Sequence, residues 1–240
     1  MRNETGSAPR ALALGLLILA ASARAEKDLS GLTFSAVASS ATDVRLTLAD
    51  SKGKRLGPAG VEVGETPATA GRCVLTAAAA DAAPFELRVH AAHTDGTLMN
   101  FTLRSFLARG SARRYDVDFD PKPGGALSVV KAVDFGTLAQ DLETASRFGR
   151  LGGKKFAAEL AGMLARGRRA RAREAAAALR EFVAALNRAA KENSRADAEN
   201  GRFADVDAVL SLTADAKALS GRLQAAAATG PRAASGTPRP

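Results

Sequence analysis

Hydrophobic and polar positions change period near the middle of this chain. Residues 43–49 alternate, with Val44, Leu46 and Leu48 on one side and Arg45 and Thr47 on the other. An apolar residue at every second position marks a half-buried strand. Phe85, Leu87 and Val89 alternate with Glu86, Arg88 and His90, and residues 98–107, 114–119 and 127–135 continue the pattern. Shorter candidate strands lie at 61–63 and 72–76. Turn residues punctuate them: Ser51-Lys52-Gly53-Lys54, the Gly- and Pro-bearing 56–60, and Pro121-Lys122-Pro123-Gly124-Gly125. Thr94-Asp95-Gly96-Thr97 predicts a hairpin whose two central residues take positive φ. Strands at this spacing predict an antiparallel β-sandwich over residues 26–136 of immunoglobulin-like architecture, without the Cys…Trp…Cys framework of true immunoglobulin domains.

Beyond residue 136 the period becomes helical. Thr137-Leu138-Ala139-Gln140 fits a capping box, in which the Thr hydroxyl and the Gln amide satisfy free backbone N–H groups. Leu138, Leu142 and Ala145 then share a face, and Gly149-Arg150-Leu151-Gly152-Gly153 breaks the helix. Phe156, Leu160, Met163 and Leu164 mark a second helix. Leu179, Phe182, Val183 and Leu186 fall at i, i+3, i+4 and i+7 and mark a third. Residues 193–201 are polar and loop-like, and Val206, Val209, Leu210, Thr213, Ala216 and Leu219 mark a fourth helix. Short amphipathic helices need one another's cover, which predicts a compact bundle over residues 137–224. The sequence AAAATGPRAASGTPRP at 225–240 has the composition of a disordered tail. The class expected is therefore α+β with separate domains, a sandwich followed by a small helical bundle.

The helical half resembles the FIMAH domain, a small α-helical module of secreted bacterial proteins. The likeness covers roughly 137–223. It is carried by Thr137-Leu138, by Gly152 before Phe156 and Leu160, by Ala178-Leu179 with Phe182-Val183, and by Val209-Leu210 followed by Asp215-Ala216 and Leu219. The resemblance implies a non-catalytic accessory role and supplies no catalytic residues. The chain departs from the family between the second and third helices, where a short turn is expected and the arginine-rich run 165–173 stands instead.

The first residues change where such a protein is expected to work. Arg2 and Arg10 flank a charged opening, ALALGLLILAA follows, and Ala23-Arg24-Ala25 supplies small residues at a cleavage position. A charged n-region, a short apolar h-region and an A-x-A exit predict a signal peptide over 1–25, cleaved near Ala25. The apolar run is shorter than the roughly 20 residues that span a bilayer. The expected location is secreted or periplasmic, and with no Cys after the run a lipid anchor is not expected. Cys73 is the single cysteine, which excludes an internal disulfide and predicts a small buried hydrophobe.

Charge is distributed unevenly. Residues 26–136 hold 13 basic and 13 acidic side chains, whereas residues 137–240 hold 18 basic and 11 acidic. Arg166, Arg168, Arg169, Arg171 and Arg173 form the densest cluster. Guanidinium groups bind phosphate and carboxylate bidentately, so these five are the candidate anion-binding residues. A solvated helix start is the plainer reading, although five positive charges at a helix N-terminus would oppose its dipole. Sparse aromatics, the absence of a DNA-binding motif and the export signal argue against nucleic acid as partner.

Other candidate chemistry is thinner. Asp116, Asp118 and Asp120 suggest a calcium loop, but Pro121 and Leu127 stand where that loop needs Gly and Glu. Alternation with Tyr115, Val117 and Phe119 explains the three as a solvated strand face. His90 and His93 lie three apart and point to opposite faces of a strand, which makes them poor joint metal ligands. No strained nucleophile turn or phosphate loop occurs, and neither a metal nor a cofactor is expected. The reading is an exported, non-enzymatic accessory protein whose basic helical part meets an anionic envelope polymer or a protein partner. The alternatives are a secreted hydrolase with an unrecognised carboxylate site and a structural subunit of an envelope complex.

Overall fold

The structure is a computed structural model and describes residues 31–38, 44–56, 66–67, 71–191 and 203–228. The expected signal segment, the candidate strand at 61–63 and the polar run at 193–201 lie outside these residues.

The alternating runs form strands β1 (Gly31–Ala38), β2 (Val44–Asp50), β3 (Arg55–Leu56), β4 (Thr66–Pro67), β5 (Gly71–Ala79), β6 (Ala83–Ala92), β7 (Leu98–Leu107), β8 (Ala112–Phe119) and β9 (Leu127–Lys131). One sheet has the order β4-β1-β6-β7 and the other β3-β2-β5-β8-β9, and every pairing is antiparallel. Phe34, Phe85 and Leu87 of the first meet Leu48, Leu75 and Val117 of the second in one apolar cluster. Strands β1 and β2, consecutive among the described residues, lie in different sheets, whereas the first two strands of immunoglobulin domains pair.

The β6–β7 hairpin is built differently from the two-residue turn that Asp-Gly predicts. Gly96 has φ 83° and no non-glycine described residue has positive φ, so Asp95 stays on the usual side. The Gly96 N–H donates to His93 O and the His93 N–H to Thr97 O, both at 2.9 Å. The loop is a type I turn closed by one left-handed glycine, the longer hairpin solution.

Two boundaries also shift. The expected strand 127–135 ends at Lys131, and Phe135 opens α1 (Phe135–Arg147). The cap is Asp134 and not Thr137: its Oδ1 accepts the Thr137 N–H at 2.7 Å and the Thr137 hydroxyl at 2.8 Å. Asp is as good an N-cap as Thr and here lies one turn earlier. Gly149, with φ 67°, turns the chain after α1. The two-residue strands β10 (Leu151–Gly152) and β11 (Phe203–Ala204) pair across the bundle. The other helices are α2 (Lys154–Arg169), α3 (Ala172–Lys191) and α4 (Val206–Ala228), so the first residues of the expected tail are helical.

Leu138, Phe156, Leu160, Phe182, Leu186 and Leu212 form a second apolar cluster, which also takes in Phe106 of β7 and Val133. Alternation along β7 fails at its end, where Ser105, Phe106 and Leu107 are all buried. The cause is cover on both faces. Leu107 points into the sandwich, while Phe106 points out into the helices, and α1 and α4 pack along β7. β7 is an edge strand, and the helices cover it there.

Candidate functional site

Two groups of charge stand out, one exposed and one buried. In the exposed group, Arg166, Arg168 and Arg169 occupy the last turn of α2, Arg171 lies in the two-residue link, and Arg173 sits in the first turn of α3. All five are exposed. The segment is thus mostly a helix C-terminus, not the helix N-terminus that the sequence suggested. There the unpaired carbonyls favour cations, and the dipole objection is removed. Only Ala170 and Arg171 separate the two helices.

Arg166 Nη2 donates to Glu181 Oε2 of α3 at 3.0 Å, and both side chains are about two-thirds exposed. Arg168, Arg169, Arg171 and Arg173 make no ion pair with a described residue. Arg168 still acts on the cap of α1: the Asp134 carboxyl is held below its ordinary range, first by the Thr137 N–H and in smaller part by this guanidinium. The corner where α2 meets α3 therefore presents a concentrated positive surface.

The buried group was not foreseen. Arg113 of β8 donates to Asp141 Oδ1 of α1 through Nε at 3.0 Å and through Nη2. Lys131 Nζ of β9 lies 2.5 Å from Asp141 Oδ2 and 2.6 Å from Asp215 Oδ2 of α4. The side chains of Arg113 and Asp141 are 3% and 0% exposed. Two cations from the sandwich thus meet two anions from the helices. Burial disfavours the Lys131 ammonium, but Asp141 and Asp215 outweigh it and hold its proton more tightly than usual. At Asp215 burial wins over the Lys131 charge and pushes the carboxyl up. Burial likewise pushes up the phenol of Tyr115, which faces Lys131 across the β8–β9 ladder. Arg222 of α4 adds a bond from Nη2 to Val133 O. Both cations are aimed at carboxylates and all four charged side chains have little exposure, so this group fastens the two halves, while the Tyr115 hydroxyl beside it is buried without a hydrogen-bond partner.

A signal for it exists in the sequence. Arg113 is in phase with the inward Tyr115, Val117 and Phe119, and Lys131 with Leu127 and Val129. Asp141 lies on the Leu138 and Leu142 face of its helix, and Asp215 on the Leu212 and Leu219 face of its own. Charge at four core-phase positions is the mark of a buried ionic group.

The remaining candidates fall apart in space. Asp116 pairs with Arg114 at 2.9 Å, Asp118 with Arg72 at 3.4 Å, and Asp120 Oδ1 accepts the Lys122 N–H at 3.1 Å. All three are exposed, alternating with buried Tyr115, Val117 and Phe119. His90 Nδ1 is 2.7 Å from Asn100 Oδ1 at the surface, whereas His93 is buried against the Phe119 ring at 5.6 Å. Cys73 is half-buried, and burial, aided by Asp118, pushes its thiol up to about 11. Among the described residues no three His, Cys, Asp or Glu side chains gather to hold a metal, and no helix is long and apolar enough to cross a membrane. Compared with known proteins, no family model, no curated relative and no solved structure matches the chain.

Proposed function

We propose that this chain is an exported, non-enzymatic accessory protein that docks on an anionic envelope component through the α2–α3 arginine corner. The observation that carries the reading is the corner itself. Five exposed guanidiniums fall within eight residues, and four of them have no ion pair with a described residue. Unspent guanidiniums are suited to phosphate and carboxylate groups, and the attraction between exposed charges weakens with salt. On this reading residues 1–25 are the export signal, the helical part is a FIMAH-like module, and the sandwich holds it at a fixed orientation.

The test is retention of the chain lacking residues 1–25 on polyphosphate-coated beads across a salt series. Retention should fall steeply with salt and be lost when Arg166, Arg168, Arg169, Arg171 and Arg173 are changed together to Gln. A variant with Arg45, Arg55, Arg72, Arg109 and Arg114 changed to Gln carries the same net charge and should be retained like the parent. Equal behaviour of the two variants would leave only general basicity, and retention indifferent to salt would remove the electrostatic mechanism.

A further inference from the structure

The groove between α3 and α4 belongs to neither charged group. It is an open groove that offers about 370 Å³, within the roughly 300–1,000 Å³ common to small-molecule sites. Its floor is apolar: Leu179 and Ala216 are buried beneath it, and Val183 flanks them. Its rim carries Arg180 from one helix and Lys217 from the other, and no carboxylate lines it.

An exposed row on α4 runs on from the groove. Lys217 and Gly221 line the groove, and Val206, Leu210 and Ala214 lie beyond it on the same face at helical spacing; all five are exposed. Val206 and Leu210 are 64% and 55% exposed, and Lys217 is the single charge in the row. The opposite face is the buried one, through Leu212, Asp215, Ala216 and Leu219.

We propose that this groove binds a single-chain anionic amphiphile, an acyl chain ending in a carboxylate or phosphate. The chain lies on the Leu179, Val183 and Ala216 floor, and the head meets Arg180 and Lys217. Charge complementarity selects this occupant. A neutral chain leaves two cations unmatched, and a free inorganic anion leaves the apolar floor wet. The site does not depend on the arginine corner.

Calorimetric titration of the chain lacking residues 1–25 with dodecanoate and with dodecyl phosphate, both below their micelle concentrations, tests it. Both should bind, and dodecanol and inorganic phosphate should bind at least tenfold more weakly. Gly221→Leu should abolish binding by filling the groove, since space beside Gly221 is open and Leu suits a helix. Ala184→Leu, from the other wall, should do the same. Arg180→Gln with Lys217→Gln should weaken the amphiphiles tenfold or more while unchanged melting temperatures report an intact fold. The five-arginine corner variant should bind like the parent. Equal affinity for dodecanol, indifference to both groove-filling variants, or binding to phosphatidylglycerol vesicles without binding of monomeric amphiphile would each overturn the proposal.

Discussion

Lys131 Nζ stands 2.6 Å from Asp215 Oδ2 across 84 positions of sequence, joining the last long strand of the sandwich to the last helix. Lys131→Met removes the cation shared by Asp141 and Asp215. Removing one partner of a buried ion pair typically costs about 3–5 kcal/mol. Burial already raises the Asp215 pKa, so this carboxyl is the one that takes up a proton to relieve the loss. A raised folded pKa contributes stability below the unfolded value of 3.8 that is lost as pH rises through the folded value. The Lys131→Met deficit should therefore be largest at neutral pH and shrink on mild acidification. Urea titrations of both proteins at several pH values measure it, and a constant deficit would contradict the assignment.

The alkaline limb has its own sign. The folded pKa of Lys131 lies above its ordinary 10.5, so its contribution is complete below 10.5 and is lost as pH rises through the folded value. Tyr115, raised from 10.0 by burial, acts in the same sense. The parent should lose stability above these values, and Lys131→Met with Tyr115→Phe should show a flatter alkaline limb. Melting temperature against pH separates the two.

Two glycines of α2 predict opposite outcomes for one substitution. Gly162 has open space around it, so Gly162→Ala should stabilise by about 0.5–1 kcal/mol through helix propensity. A Cβ on Gly167 would lie 2.7 Å from Phe135 Cε1 and 3.3 Å from the Ala178 methyl. Overpacking of this kind costs about 1–3 kcal/mol, enough to reverse the gain. Thermal unfolding of the two single variants decides it.

Glu181 restrains one guanidinium of the corner. Glu181→Gln frees Arg166 and removes a nearby negative charge. The exposed pair contributes at most about 1 kcal/mol to stability, so the fold should be unaffected. Retention on polyphosphate beads should extend to higher salt, and earlier elution would count against the corner as the binding surface.

How far the sequence carries is visible residue by residue. Val44, Leu46 and Leu48 alternate, and β2 is there; Leu179, Phe182 and Leu186 repeat at helical spacing, and α3 buries them. Period is a local property, and local reading recovers it. Asp134 and Thr137 are both good caps one turn apart, so local sequence does not separate them; Asp134 holds the place, with Phe135 packed against the helical core. The end of β7 reads as ordinary alternation, since nothing local shows that Phe106 is covered by residues of α1 and α4. The arginines were legible as a cluster, but their place at the end of α2 depended on where the helix stops. The buried charges were in phase with the core, yet their partners lie 28, 10 and 84 positions away.

That separation has a consequence for the order in which the protein can be completed. Arg113 and Lys131 are synthesised before either of their counter-charges, and the outer side of Phe106 before the helices that cover it. A chain stopped at the end of the strands is an unfinished sandwich, with two uncompensated cations and an uncovered sheet edge. A premature stop in α4 ahead of Asp215 would leave Lys131 with one of its two counter-charges and Phe106 of β7 without one of the helices that cover it.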